Sequence, residues 1–390
     1  MGVDMLYRNA ADEIPDKESL IQEALKNIYN KSVDVENQIE PNLYNTTSKT
    51  YRKAIDEGFG TVRFGHPDYD FLQALKHNTD VMAAYKTHRQ QNDLAVLMLD
   101  ENGKLKPFDR FRRDVEDVIG KYNRNWLSTE YNTAVIRARH AARWRDFLGD
   151  SDLYPNLKWL ETTSPHPDTK VHIRFWNRVW SLTDPFWTRH YPGDRWNCKC
   201  GLSNTDDPLT DNSDLDENVF KDDQPDAGID SNSGVSGEIF TNSHPYVTAA
   251  YKGAEKAVKR MMGELEEVRQ RRKEIAREAE PLTNETLTND GLEQQIIVTK
   301  KAIKEWLNQP HKHYAEKNEM LLDIKAILAN SKYLGRIDDY KNKKDIEGLH
   351  LFETEINGDK TWIIVREYKF GRMALYSISD SPEILKGLAK

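Results

Sequence analysis

The chain has 390 residues, 31% of them charged and 38% hydrophobic, with a formal net charge of −8. That length exceeds one ordinary domain, and the acidic balance argues against broad coating of nucleic acid, while leaving room for a local basic site. No apolar run approaches the roughly 20 residues needed to cross a bilayer, and the first residues lack the basic-then-apolar layout of a signal peptide, so the expectation is a protein made in the cytoplasm with no membrane partner.

Residues 1–150 read as mostly helical, with short patterns over 19–30 and 69–91. The clearest helix is expected over 111–148, where Val115, Val118, Tyr122, Trp126, Ala134, Val135, Ala138 and Ala142 recur at helical spacing. Arg137, Arg139, Arg143 and Arg145 are assigned to its outer face, and Gly149 is its stop signal. Residues 151–203 are richer in aromatics and turns, with Trp159, Trp176, Trp180, Trp187 and Trp196. Strand-like alternation over 172–182 predicts a small sheet there. From 204 to 237 the composition falls to Asp, Asn, Ser, Gly and Pro, which predicts an acidic, flexible, extended segment.

Residues 247–280 predict one long helix whose charges alternate in sign, ended by Pro281. A polar joint over 281–290 follows. Helices are expected over 293–307 and 314–330, the second with Leu321, Ile324 and Leu328 on one face. Strands are expected over 349–356 and 361–368 around the Asn357-Gly358-Asp359 turn, with a third over 372–379. Ser381 and Pro382 then suit the cap and first turn of a last helix over 381–388. The class is therefore multidomain α+β. It comprises a helical region over 1–150, a compact α+β core over 151–250, a charged helical connector over 247–281, and a C-terminal α+β domain over 290–390 with a three-stranded antiparallel sheet.

The only two cysteines, Cys198 and Cys200, sit one residue apart, too close for an easy disulfide with each other. Zinc takes about four N or S ligands at tetrahedral spacing. Cys198 and Cys200 supply two, and His190 with either His172 or His166 completes a structural set. The plain alternative is equally open: small buried thiols, with histidines that cap turns.

The elements Asp184-Pro-Phe, His190-Tyr-Pro and Trp196-Asn-Cys198-Lys-Cys200, with the upstream Tyr131-Asn-Thr-Ala, resemble the phage Mu F-like minor head proteins. The resemblance covers roughly residues 70 to 250. Thr162-Thr-Ser-Pro-His166-Pro-Asp168 is a looser version of the run that precedes the family's first histidine. What the resemblance implies is a minor virion component, made in a bacterial host, placed in the head interior or at the portal vertex. Its implied partners are portal and capsid proteins, its implied role is head morphogenesis, and no enzymatic activity is implied for this part. Residues 238–246 look like the tail of that region, a hydrophobic clip that packs back on the domain.

Members of that family also carry C-terminal toxin domains, and residues 310–379 resemble the phage nucleases of the barnase–EndoU–colicin–RelE-like group. That likeness rests on His311-Lys-His313-Tyr-Ala-Glu316-Lys-Asn-Glu319, the three-stranded meander, and Tyr376-Ser377-Ile-Ser379. Metal-free RNA cleavage needs a base, an acid and a cation for the charged phosphorane. His311 and His313 fit acid and base, Arg366 or Lys317 the phosphate, and Tyr376 and Ser377 the non-bridging oxygens. Each has a plain reading as well: helix-start polarity for the histidines, cross-strand pairing with Glu353 or Glu355 for Arg366, core for Tyr376. No phosphate-binding Gly-rich loop, His-Glu-x-x-His or Gly-x-Ser-x-Gly occurs. The sequence thus predicts a minor head protein carrying a metal-independent ribonuclease-like effector, with RNA as substrate and an immunity protein as a further partner. The alternative is a structural virion protein whose C-terminal domain binds nucleic acid or a host factor.

Overall fold

The computed structural model describes residues 17–63, 65–162, 172–215, 224–309, 311, 313–338 and 345–388. The chain divides into two compact units, Met1–Met262 and Gly263–Lys390.

The first unit begins with α1 (Lys17–Tyr29), which buries Ile21, Ala24, Leu25 and Ile28, the i, i+3, i+4, i+7 stripe of an amphipathic helix. In α2 (Pro41–Phe59) the first turn is capped by Glu40, whose carboxylate accepts from Leu43 N at 2.7 Å. α2 packs against both α3 (Tyr69–Val96) and the long α6 (Leu127–Gly149). The single helix expected over 111–148 is instead composite. α4 (Phe108–Asp114) and α5 (Glu116–Gly120) lead through a π-helical turn, Lys121–Trp126, into α6. The interior between these helices is partly polar. Glu130 accepts from Tyr51 at 2.7 Å, from Tyr246 at 2.6 Å and from Lys86, and all four residues are buried. A buried charge pair is tolerated where further hydrogen bonds support it, as the two tyrosines support Glu130 here.

Beyond α6 comes a three-stranded antiparallel sheet of order β2-β1-β3: β1 (Asn156–Leu160), β2 (Val179–Ser181) and β3 (Gly201–Thr205). The expected strand alternation over 172–182 is confined to β2, because Ile173–Phe175 forms a 3-10 turn. The aromatic residues make the core here: Trp144, Trp159, Phe175, Trp180, Trp187 and Tyr191 pack together with Cys198 and Cys200. Trp180 and Phe186 stack at 4.3 Å. The Asp184-Pro-Phe element has a local cause, since Asp184 Oδ1 accepts from Phe186 N at 2.8 Å and caps the 3-10 turn Pro185–Thr188.

Two expectations fail in this unit. Arg137 is not on the outer face of α6 but fully buried. Its Nε donates to Ile239 O at 2.7 Å, Nη1 to Ile229 O at 2.9 Å and Gly193 O at 3.1 Å, and Nη2 to Ser231 O at 2.8 Å. Those acceptors explain the second failure. The polar stretch expected to be an extended, flexible segment is packed over 224–237, with Ile229, Asn232, Ser233 and Gly234 buried. It buries little apolar surface. Its order comes from hydrogen bonds: to the Arg137 side chain, from Ser233 Oγ to Arg137 O at 2.8 Å, and from Gly234 N to Asn232 Oδ1 at the start of α7 (Ser233–Ser236). The next residues, Ile239 and Phe240, are buried, and both their N–H groups donate to Asn78 Oδ1.

The helix expected over 247–280 is broken. α8 (Pro245–Thr248) ends, the chain turns through Gly253 at φ +86°, and α9 runs Ala254–Glu278. The boundary between the units falls inside α9.

In the second unit, the expected antiparallel meander is present as β7 (Ile346–Ile356), β8 (Asp359–Tyr368) and β9 (Arg372–Ser379). The meander lies inside a larger sheet of order β4-β5-β9-β8-β7-β6, with β4 (Thr286–Asn289), β5 (Leu292–Ile297) and β6 (Lys332–Ile337). The β5–β9 pair is parallel and the others are antiparallel. Residues 293–307, expected as one helix, are strand β5 followed by α10 (Lys300–Asn308), because the β-branched run Ile296-Ile297-Val298 joins the sheet and Thr299 caps the helix at Ala302 N. Residues 314–330 likewise divide into α11 (Tyr314–Glu319) and α12 (Ile324–Asn330), with Leu321, Ile324 and Leu328 all buried in the main core. Strand alternation sorts the sheet into two faces. Phe352, Ile356, Ile363 and Val365 meet Trp306 and α12, while Leu349, Leu351, Ile364 and Tyr376 pack with Ile384, Leu385 and Leu388. The last segment is a 3-10 helix, Pro382–Gly387, and Ser381 makes no side-chain cap bond.

Candidate functional site

In the first unit, His172, Cys198 and Cys200 converge. Their ligand atoms all lie within 4.8 Å of one another and all three residues are buried. His172 Nδ1 is 3.5 Å from Cys198 Sγ and 3.6 Å from Cys200 Sγ. The other ring nitrogen, Nε2, is 3.0 Å from Asp194 Oδ1. Asp194 arrives through the Tyr191-Pro192-Gly193 turn, where Gly193 sits at φ +98° and a Cβ would meet Arg137 Cγ at 2.9 Å. Cys200 is held from the other side, its carbonyl accepting from His140 Nε2 at 3.2 Å, and Tyr191 donates to His140 O at 2.9 Å.

The electrostatics follow from this closeness. Burial opposes a charge on His172, but the Asp194 carboxylate, with help from Cys200, outweighs it and raises the imidazole to about 10. Cys200 is pulled down to about 5, first by the hydrogen bond from Cys198 and, against burial, by His172. Cys198, donating to that sulfur and itself buried, is pushed up. Two soft sulfurs and an imidazole whose far nitrogen faces a carboxylate are donors of the kind zinc takes, three of the about four it needs. His190 does not join it. Its Nδ1 lies 3.8 Å from Asp194 Oδ2, so it neighbours the supporting carboxylate rather than the sulfurs. His166 lies outside the described residues. Asp194 was missed because it reads as an ordinary turn residue after Tyr-Pro-Gly.

In the second unit, the residues proposed for RNA cleavage fall into three places. His311 and His313 line one cleft of about 450 Å³ with Asp359, Lys360, Trp362 and Asp380. His313 Nε2 is 2.6 Å from Asp359 Oδ2. His311 is tied down at both ring nitrogens: Nδ1 accepts from His313 N at 3.0 Å, and Nε2 meets Thr361 Oγ1 at 2.9 Å. Because Thr361 donates its own proton to Ser379 O, it accepts from Nε2–H, which fixes the neutral tautomer of His311. Burial lowers the His311 pKa in keeping with that. Lys317 is elsewhere, its ammonium donating to Trp306 O at 2.5 Å and Gln309 O at 3.0 Å at the end of α10, and burial lowers it to about 7. Arg366 stands five residues from Thr361 along β8, roughly 16 Å at strand spacing. Its guanidinium lies 3.2 Å over the Tyr376 ring, and its register partners are Leu349 and Ala374 rather than Glu353 or Glu355. Ser377 is buried opposite Ile364 on β9. Asp359, read from sequence only as part of the hairpin turn, is the contact that sequence reasoning missed.

Comparison with known proteins adds two findings. Residues 266–376, wholly inside the second unit, match the family described as large polyvalent protein-associated domain 3. A stretch of 74 residues is 34% identical to the putative capsid assembly protein F of Escherichia phage Mu. That match covers 19% of this chain and 17% of the length of the Mu protein. In part, then, the chain is similar to a putative phage capsid assembly protein. No solved structure matches it. Among the described residues, no helix is long and apolar enough to cross a membrane.

Proposed function

We propose that this chain takes part in assembling a phage head, as a minor component bound at or near the portal. The stretch shared with the Mu capsid assembly protein carries this reading. In this account the first unit is the assembly part, and zinc held by His172 Nδ1, Cys198 and Cys200 fastens its aromatic core. Bound there, zinc would supply cross-linking, with these three residues filling three of its about four positions. The chain's own residues do the rest: Asp194 orients His172, and His140 holds the Cys200 carbonyl. Coexpression with the portal and major capsid proteins of the same phage tests the reading. Retention of the chain on tagged portal supports it, and elution of the chain free of both partners overturns it.

A second reading, metal-independent RNA cleavage in the second unit, is favoured by the contact between His313 and Asp359. A carboxylate that orients an imidazole is the usual support of a general base. His311 drops out as acid or base in this version, because both of its nitrogens are engaged. Incubating the full chain with RNA checks this reading. Cleavage that falls about a hundredfold or more in His313→Ala supports it, and intact RNA with the unmodified chain ends it.

A further inference from the structure

The two hairpin turns of the meander differ in length, two residues between Ile356 and Asp359 and three between Tyr368 and Arg372, and both pass through the left-handed region. Between Ile356 and Asp359 the turn residues are Asn357 at φ +51° and Gly358 at φ +83°. Between Tyr368 and Arg372 stand Lys369, Phe370 at φ +68° and Gly371 at φ +72°. Asn is favoured at such a positive φ because its short polar side chain tolerates the left-handed region. Phe lacks that property, and a bulky residue there is strained.

Among the described residues nothing compensates. The Phe370 side chain is 101% exposed, so it contributes nothing to a core. Its neighbours Lys369 and Arg372 are exposed as well, and neither has an ion-pair partner among the described residues. One position therefore combines a disfavoured backbone, an unburied aromatic ring and two flanking free cations. Local rules broken without structural gain mark functional positions.

We infer that the Lys369–Arg372 turn is a contact point for single-stranded nucleic acid. Phe370 offers a ring on which a base stacks, and Lys369 and Arg372 meet the adjoining phosphates. Stacking on one exposed ring, with cations tracking the backbone, is the ordinary unit of sequence-tolerant single-strand binding. An anionic lipid surface fits less well, because one ring buries too little apolar area to hold a protein on a bilayer. The assignment rests on the reading of the second unit as one that handles RNA, and it deepens that reading by naming where the strand is held.

The test uses the full chain and a fluorescein-labelled twelve-nucleotide strand of deoxythymidine, read by anisotropy across a salt series. The DNA lacks the 2′-hydroxyl that RNA cleavage needs, so binding is read apart from turnover. A matching RNA strand is run beside it. The unmodified chain is expected to bind both, Phe370→Ala to bind about tenfold more weakly, and Lys369→Gln/Arg372→Gln to reduce the slope of log affinity against log salt by about 1.4. Phe370→Asn is the decisive variant: it relieves the turn, so its melting temperature should rise while its binding falls. Equal binding by all variants overturns the assignment and leaves the RNA reading standing. No binding of either strand by the unmodified chain overturns both. Phe370-dependent capture by phosphatidylserine vesicles, with no effect of Phe370→Ala on the strand, assigns the turn to lipid and overturns it as well.

Discussion

His172 and Asp194 are joined at 3.0 Å through Nε2 and Oδ1, and this contact leaves His172 Nδ1 facing both cysteine sulfurs. The carboxylate thus selects which imidazole nitrogen is available to a metal. One zinc per chain is expected on metal analysis of the full protein, lost in Cys198→Ser, Cys200→Ser and His172→Ala and retained in His190→Ala. Asp194→Asn should keep the metal but bind it about 10- to 100-fold more weakly, the usual cost of losing an outer-shell carboxylate. A metal-free wild type would remove the zinc staple from the account.

Arg137 closes the first unit by bonding four backbone carbonyls drawn from three segments of the chain, at Gly193, at Ile229 and Ser231, and at Ile239. Burial lowers its pKa to about 10, which leaves it charged at neutral pH. Arg137→Met removes the donors and leaves buried acceptors without partners, so a loss of roughly 3 kcal/mol or more is expected. Denaturant titration monitored by tryptophan fluorescence measures it. A loss below about 1 kcal/mol would show that water replaces the guanidinium without penalty.

How far the sequence could be read depended on whether a residue's neighbours in the chain were also its neighbours in space. The Cys198–Cys200 spacing marked both thiols as candidate ligands of one metal, and the Asn357-Gly358 turn defined the β7–β8 hairpin. Arg137 was assigned to the surface because its charge outweighed its position, and its acceptors lie 56 residues away or more. Asp194 and Asp359 looked like turn formers, which they are, yet each also orients a histidine brought in from distant sequence. Strand β5 was hidden because Glu293-Gln-Gln is polar and continues smoothly into α10. The grouping of Arg366 with His311 failed because strand alternation and spacing set Arg366 apart from Thr361, the β8 residue that His311 meets.

His244 supplies a pH-dependent contribution to stability. Its Nδ1 accepts from Tyr246 N at 3.1 Å and caps α8. Burial, reinforced by Lys86 and Arg89 against the pull of Glu130, lowers its pKa from 6.5 to about 4. The folded form therefore binds fewer protons than the unfolded chain between those values. The contribution is fully present above pH 6.5 and is lost as pH falls towards 4, on the order of 3 kcal/mol at full extent. His244→Asn keeps the cap and cannot titrate. Its stability should therefore fall less than the wild type's across that window, as followed by denaturant midpoints at pH 7, 5.5 and 4. Parallel curves for the two proteins would contradict the assignment.

The most direct test of a head-assembly role is quantitative mass spectrometry of purified heads from the phage that encodes this chain, with and without its gene. The account predicts the chain in the particles at a fixed ratio far below that of the major capsid protein, and aberrant or fewer heads when the gene is deleted. Normal heads in the deletion strain, together with absence of the chain from wild-type particles, would contradict it.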